Sequence, residues 1–202
     1  MRKVSMALLA AGFLCLLLAL GLVGRHWGEQ VRAQAEAERD TQYLHEQIVP
    51  DVSRESGVIP AAQPMMTEIA LDGRQYVGLL TIPALGREVP VQDGCSAAQL
   101  KHSPCRYSGG PGGHFVIAGH NYRAHFAALS ALEQGDMVFF TDADGNLWRY
   151  RVVQTEVLEG TDVAGMLGGS WDLTLFTCTR GGSARIAARC VLADRGATGQ
   201  NV

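Results

Sequence analysis

The chain has 202 residues, with 17 Lys and Arg against 20 Asp and Glu, for a formal net charge of -3. That length accommodates one compact domain with extensions. The near-neutral balance lacks the basic surface that a phosphate backbone requires, so no nucleic-acid partner is expected. A hydrophobic share of 47% is that of a folded chain, not a disordered one.

Much of that share sits at the amino end. Arg2 and Lys3 precede 21 residues without a charge, Val4–Gly24, and Arg25, His26 and Trp27 follow. As a helix this run spans roughly 31 Å, the thickness of the bilayer hydrocarbon core. A cleaved signal peptide is the rival reading. Its apolar stretch is about 7–15 residues and ends in a small-x-small site, which Leu20-Gly21-Leu22-Val23 does not supply. The expectation is an uncleaved, single-pass anchor over residues 1–24, in the cell membrane. The short basic start places the amino terminus in the cytoplasm and the body outside.

Residues 25–67 read as a juxtamembrane helix and linker. Glu29–Ile48 has a helical composition, but Val31, Tyr43, Leu44 and Ile48 keep no clean period, which predicts weak packing. Pro50, Gly57, Pro60 and Pro64 then break regular structure. The compact domain is expected over 68–194, with a polar tail at 195–202. Strands are expected at Tyr76–Ile82, Glu88–Val91, Phe115–Ala118, Met137–Thr141, Leu147–Val157, Leu173–Thr177 and Arg185–Leu192. Asp142-Ala143-Asp144-Gly145-Asn146 is a hairpin turn, because Asp-Gly tolerates positive φ. One helix is expected at Ala124–Leu132, with Phe126, Leu129 and Leu132 on one face. Short strands with few helices indicate an all-β, closed or nearly closed barrel.

The five cysteines are Cys15, Cys95, Cys105, Cys178 and Cys190, with no CxxC pair for a zinc ribbon or a redox motif. Outside the membrane, four cysteines allow two disulfides, or one (Cys95–Cys105) with Cys178 kept as a thiol. Taken alone, Cys178 packs as a small hydrophobe. It lies, however, where the run Leu173-Thr174-Leu175-Phe176 opens into a Gly-rich turn, and Arg185 begins the next strand. His120 closes the strand Phe115–Ala118 in the same way. A thiol, an imidazole and a guanidinium at strand ends form a usable set. The thiolate attacks a carbonyl carbon, the imidazolium protonates the leaving amine, and the fixed cation steadies the oxyanion.

Leu173-Thr174-Leu175-Phe176-Thr177-Cys178 resembles the sortase signature Thr-Leu-x-Thr-Cys, with Arg185 leading the following strand. Ala118-Gly119-His120-Asn121-Tyr122 resembles the sortase histidine segment, and Phe139-Phe140-Thr141-Asp142 the strand that often follows. The resemblance covers roughly Tyr76–Leu192. It implies an eight-stranded sortase β-barrel and a cysteine transpeptidase of the bacterial surface, with no cofactor and no metal. Cys178 would be the nucleophile, His120 the general acid and Arg185 the oxyanion or substrate ligand, while Thr177 would help position substrate. Arg180 and Arg189 compete for the cationic role. The partners implied are surface proteins with a C-terminal, LPXTG-like sorting signal, an amine acceptor (a peptidoglycan precursor or another subunit) and the lipid bilayer. Asn121-Tyr122 and Thr179 lean toward class B, but the short interval between Val157 and Cys178 leaves little room for that class's helical insertion. A class D-like or class B-like enzyme fits best. A hydrolytic peptidase and a degenerate binding module on the same barrel are the alternatives. A metal site of His114, His120 and His125 lacks the i, i+4 spacing of a helical zinc pair.

Overall fold

The computed structural model describes residues 2–48 and 66–193. A single helix, α1 (Arg2–Gln47), leads into nine strands: β1 (Ile69–Leu71), β2 (Arg74–Ile82), β3 (Arg87–Gln92), β4 (Cys105–Gly110), β5 (Gly113–Ala118), β6 (Met137–Asp142), β7 (Leu147–Glu159), β8 (Leu173–Cys178) and β9 (Ala184–Leu192). A five-residue helix, α2 (Val163–Leu167), lies between β7 and β8. Eight strands close a ring in the order β2-β3-β4-β5-β8-β9-β7-β6, because β6 pairs back onto β2. Short β1 adds to β2 outside that ring. Closure brings β6 so near β2 at Gly78 that a Cβ there would collide with the Thr141 carbonyl oxygen, and φ at Gly78 is 153°. Only glycine fits such an approach without strain.

Side chains alternate between two sheet faces, as strand geometry dictates. Phe115, Ile117, Leu173, Leu175, Ala188 and Cys190 point into the barrel and join the main core. There the rings of Phe115 and Phe140 meet edge to face at 4.9 Å. The other face of β5, β8 and β9 carries Val116, Ala118, Phe176 and Ala187, partly roofed by Met166 of α2. The hairpin turn forms as expected. Asp142 Oδ1 accepts from the Asp144 and Asn146 backbone N–H groups at 3.1 and 2.9 Å.

The segment Ala124–Leu132 is not the expected helix. Its backbone N–H groups bond mainly three residues back, Leu129 to Phe126 O and Leu132 to Leu129 O, giving turns and one 3-10 stretch. Phe126, Leu129 and Leu132 are nevertheless buried. The apolar pattern therefore identified core residues but not the backbone period.

Helix α1 departs from expectation more usefully. It runs unbroken across residue 24, and its apolar stretch is long enough to cross a membrane. Its second half docks on the barrel rather than standing free. The buried face is Ala33, Ala37, Asp40, Leu44 and Ile48, at spacings of three and four. Leu44 and Ile48 pack with Tyr76 and Leu79. Asp40 is 2% exposed and accepts from the Tyr76 hydroxyl at 2.5 Å and from Arg39 Nη2 at 2.9 Å, with Arg74 Nη1 at 3.4 Å. Burial, followed by Asp40, pushes the Tyr76 phenol upward. Glu36 to His102 at 2.5 Å and His45 to Glu88 at 2.7 Å add rim contacts. Asp40→Ala leaves Arg74 and the Tyr76 hydroxyl short of an acceptor. It is expected to loosen the docking by about 3 kcal/mol, the low end for breaking a buried pair. Hydrogen exchange in detergent-solubilised protein would show lost protection over residues 33–48 with β8 and β9 unchanged; unchanged protection in the helix refutes the anchoring role. Of the linker expected up to Thr67, Met66 and Thr67 alone are described beyond Ile48; the tail at 195–202 lies outside the described residues.

Candidate active site

The candidate residues lie at the end of β8, at the start of β9 and in the turn after β5. In the antiparallel β8–β9 pair Cys178 and Arg185 are direct partners, so their side chains leave the same face. That face is the outer one, shared with Phe176 and Ala187. Parallel pairing of β5 with β8 sets Ala118 beside Phe176, and Gly119 N continues it by donating to Phe176 O at 2.9 Å. His120 follows one residue later, where the chain leaves β5 and turns, while β8 runs on to Cys178. Gly119 is required before it, because the Phe126 ring occupies the space a Cβ would need.

Cys178 is half-buried at the end of β8. The turn that follows closes with Thr179 N to Ala184 O at 3.0 Å. Arg185 Nη1 folds over that turn, donating to Gly182 O at 3.0 Å and Ala184 O at 3.2 Å. Its Nε and Nη2 donors have no partner among the described residues and are available to an acceptor. Burial pushes the His120 imidazole below its ordinary value; the Lys101 charge adds to that and Glu29 of α1 opposes it. A lowered value makes the imidazolium a readier acid and a scarcer one at neutral pH.

Arg189, the other strand arginine considered for the cationic role, is buried and engaged with internal acceptors. It is 2% exposed and lies four residues along β9, about 13 Å from Arg185 at strand rise. Its guanidinium donates to Glu156 at 2.6 Å, to Met166 O and Thr174 Oγ1 at 3.0 Å, and to Gly165 O at 2.5 Å. It pins α2 to the sheet. Arg180 sits exposed in the turn. Thr177, expected to help position substrate, instead faces the barrel interior. It pairs with Ile186 and is 1% exposed, so the alternation that exposes Cys178 turns its neighbour inward.

The remaining cysteines do not form two disulfides. Cys190 lies in the main core, on the opposite face from Cys178. All five are free thiols; the Cys105 thiol hydrogen-bonds Cys95 and so holds Cys95 below the usual thiol range. Residues missed in the sequence line the outer face beside Cys178: Tyr107 stands edge-on to Phe176 at 5.4 Å, and Leu100 and Leu158 pack on the same cluster.

The sortase-domain family profile matches residues 80–193. The chain belongs to the sortase family. No curated protein sequence matches it. Among solved structures, sortase C from Clostridium perfringens SM101 superposes with a TM-score of 0.53 at 19% identity, over 83% of this chain and 90% of that one. Listeria monocytogenes sortase A gives 0.54 at 23%, over 59% and 88%, and Streptococcus suis sortase C1 gives 0.53 at 25%, over 58% and 72%. These likenesses share the sortase fold with this barrel. In this sortase the barrel is preceded by a helix whose second half is part of the folded unit.

Proposed function

We propose that this sortase is a membrane-anchored cysteine transpeptidase with its barrel outside the cell. It cleaves an LPXTG-like sorting signal of surface proteins and passes the new carboxyl end to an amine. That amine belongs to a peptidoglycan precursor or to another protein subunit. One observation carries the reading: Cys178 and Arg185 leave one face as cross-strand partners, beside an apolar surface built on Phe176 and Tyr107, and His120 lies in the turn just after the neighbouring strand β5.

The chemistry follows from that placement. The Cys178 thiolate adds to the scissile carbonyl carbon, forming a C–S bond and an oxyanion within reach of the Arg185 guanidinium. As the C–N bond breaks, its electron pair goes to nitrogen, which takes a proton from the His120 imidazolium. The peptide acyl group stays on sulfur as a thioester. The acceptor amine then adds to that carbon, gives up a proton to the imidazole, and expels the thiolate.

The test uses the full chain in detergent with a panel of LPXTG-like peptides and hydroxylamine as acceptor. Expected are an acyl adduct on Cys178 by mass spectrometry and a hydroxamate product. Free acid alone, at saturating hydroxylamine, makes the protein a hydrolytic peptidase. Peptide binding with no adduct and no product makes the barrel a receptor.

A further inference from the structure

Tyr122 follows His120 by two residues, and their rings lie 4.0 Å apart with planes 5° from parallel. An extended strand holds i and i+2 side chains about 6.6 Å apart. Here the backbone has already turned: Phe126 N donates to His120 O at 3.2 Å, and His125 N and Ala127 N donate to Tyr122 O at 3.0 and 3.1 Å. The turn closes the rings onto each other.

The platform beneath His120 is itself fixed. Tyr122 is 6% exposed, and its ring meets that of buried His125 at 5.5 Å. His125 Nε2 donates to His102 O at 3.1 Å, and burial pushes its imidazole down to about 4, so it stays neutral. His102 in turn bonds Glu36 of docked α1 at 2.5 Å. The support thus runs from α1 through His102, His125 and Tyr122 to the outermost ring, His120. The charged groups that act on His120, Lys101 and Glu29, oppose each other, and neither hydrogen-bonds it among the described residues. Stacking is the contact that sets the ring plane.

We propose that Tyr122 is the positioning residue for the acid of the reaction, holding the His120 ring flat so that its nitrogen-bearing edge, not its face, meets the leaving amine. This rests on the reading of His120 as the general acid. A flat aromatic face suits the task because it attracts the imidazolium yet offers no acceptor that would compete for its proton. The imidazolium keeps both its N–H groups for substrate. Misplacing a reacting group by about 1 Å costs on the order of 100-fold in rate.

The test compares Tyr122→Phe, which keeps the flat face, with Tyr122→Leu, which keeps apolar bulk without it, in the full chain. In NMR spectra of histidine-labelled protein, the His120 ring protons should lie upfield from the phenol ring current, remain so in Tyr122→Phe and move to ordinary positions in Tyr122→Leu. With an LPXTG-like peptide that the unaltered chain turns over, Tyr122→Phe should stay within about threefold. Tyr122→Leu should lower kcat by about 10–100-fold with KM within about threefold, and alkylation of Cys178 should be unchanged. Unshifted His120 ring protons in the unaltered chain overturn the proposal. So does a normal kcat in Tyr122→Leu once the upfield shift is gone. His120→Ala separates the two readings. If it remains active, the acid assignment falls; if it is inactive while Tyr122→Leu is normal, only the positioning role falls.

Discussion

Cys178→Ala abolishes amine transfer and leaves the barrel folded; that is the largest effect expected of any single change. The thiol lies half-buried at the end of β8, so truncating it opens no core cavity and removes only the nucleophile. Three other cysteines could supply a rival thiol, and the structure separates them. Cys190 is wholly buried among Leu173, Leu175 and Ala188, and burial pushes its thiol up to about 12. It is unreactive, and Cys190→Ala should cost about 1 kcal/mol of stability while keeping transfer. Cys105 is also fully buried, and its hydrogen bond to Cys95 raises it. Cys95 is the serious competitor, because it is partly exposed and that same bond lowers it. It has no arginine as a cross-strand partner, and it follows a strand end that pairs with β4 rather than with β8. Cys95→Ala should therefore retain transfer, although it removes one site of alkylation. The measurement is hydroxamate formation by Cys178→Ala, Cys95→Ala and Cys190→Ala, each first checked by circular dichroism. An active Cys178→Ala beside an inactive Cys95→Ala would move the nucleophile to the loop after β3.

The barrel was legible because its strands and turns rest on local signals. Alternation in the strand expected at Leu147–Val157 and the Asp-Gly turn at Asp144-Gly145 mark a hairpin whatever the rest of the chain does. Cys178 sits where an apolar run stops and Arg185 where the next begins, so the tight turn between them makes them cross-strand partners. What escaped was set by contacts distant in sequence. Strand β4 (Cys105–Gly110) has no apolar alternation, because it pairs through bulges around Ser108 and Gly110. The docked face of α1 was missed for a different reason. Its period is regular, but it is written in two alanines and an aspartate, which a search for large apolar residues passes over. Asp40 becomes a core residue only because Tyr76 and Arg74, more than 30 positions on, converge on it. Tyr122 was part of the histidine motif, yet nothing in the sequence says that two residues apart means ring on ring. Thr177 was placed by motif adjacency, and strand alternation overrules adjacency.

The same geometry decides which arginine matters for rate and which for stability. Arg185→Ala should lower kcat by about 10²–10³-fold, or roughly 2.7–4 kcal/mol, with a smaller change in KM. In the proposed role the guanidinium would serve the oxyanion, which exists only after the thiolate has added. Arg185→Lys should restore little. The guanidinium uses one terminal nitrogen on the turn carbonyls of Gly182 and Ala184 and keeps the rest of its planar fork for substrate, an arrangement that an ammonium cannot copy. Arg189→Ala should behave in the opposite way. It withdraws donors from Glu156, Met166 O, Gly165 O and Thr174 together, which releases α2 from the sheet. A loss of about 3 kcal/mol is expected, the low end for a broken buried pair, because Glu156 is one-third exposed and rehydrates. Arg180→Ala, in the exposed turn, should stay within about tenfold of the unaltered enzyme. Steady-state transfer to hydroxylamine and thermal melting of all four variants give the two readouts side by side. A stable Arg189→Ala protein with a collapsed kcat, beside an Arg185→Ala enzyme of normal rate, would hand the oxyanion to Arg189 and require it to leave four internal acceptors during the reaction.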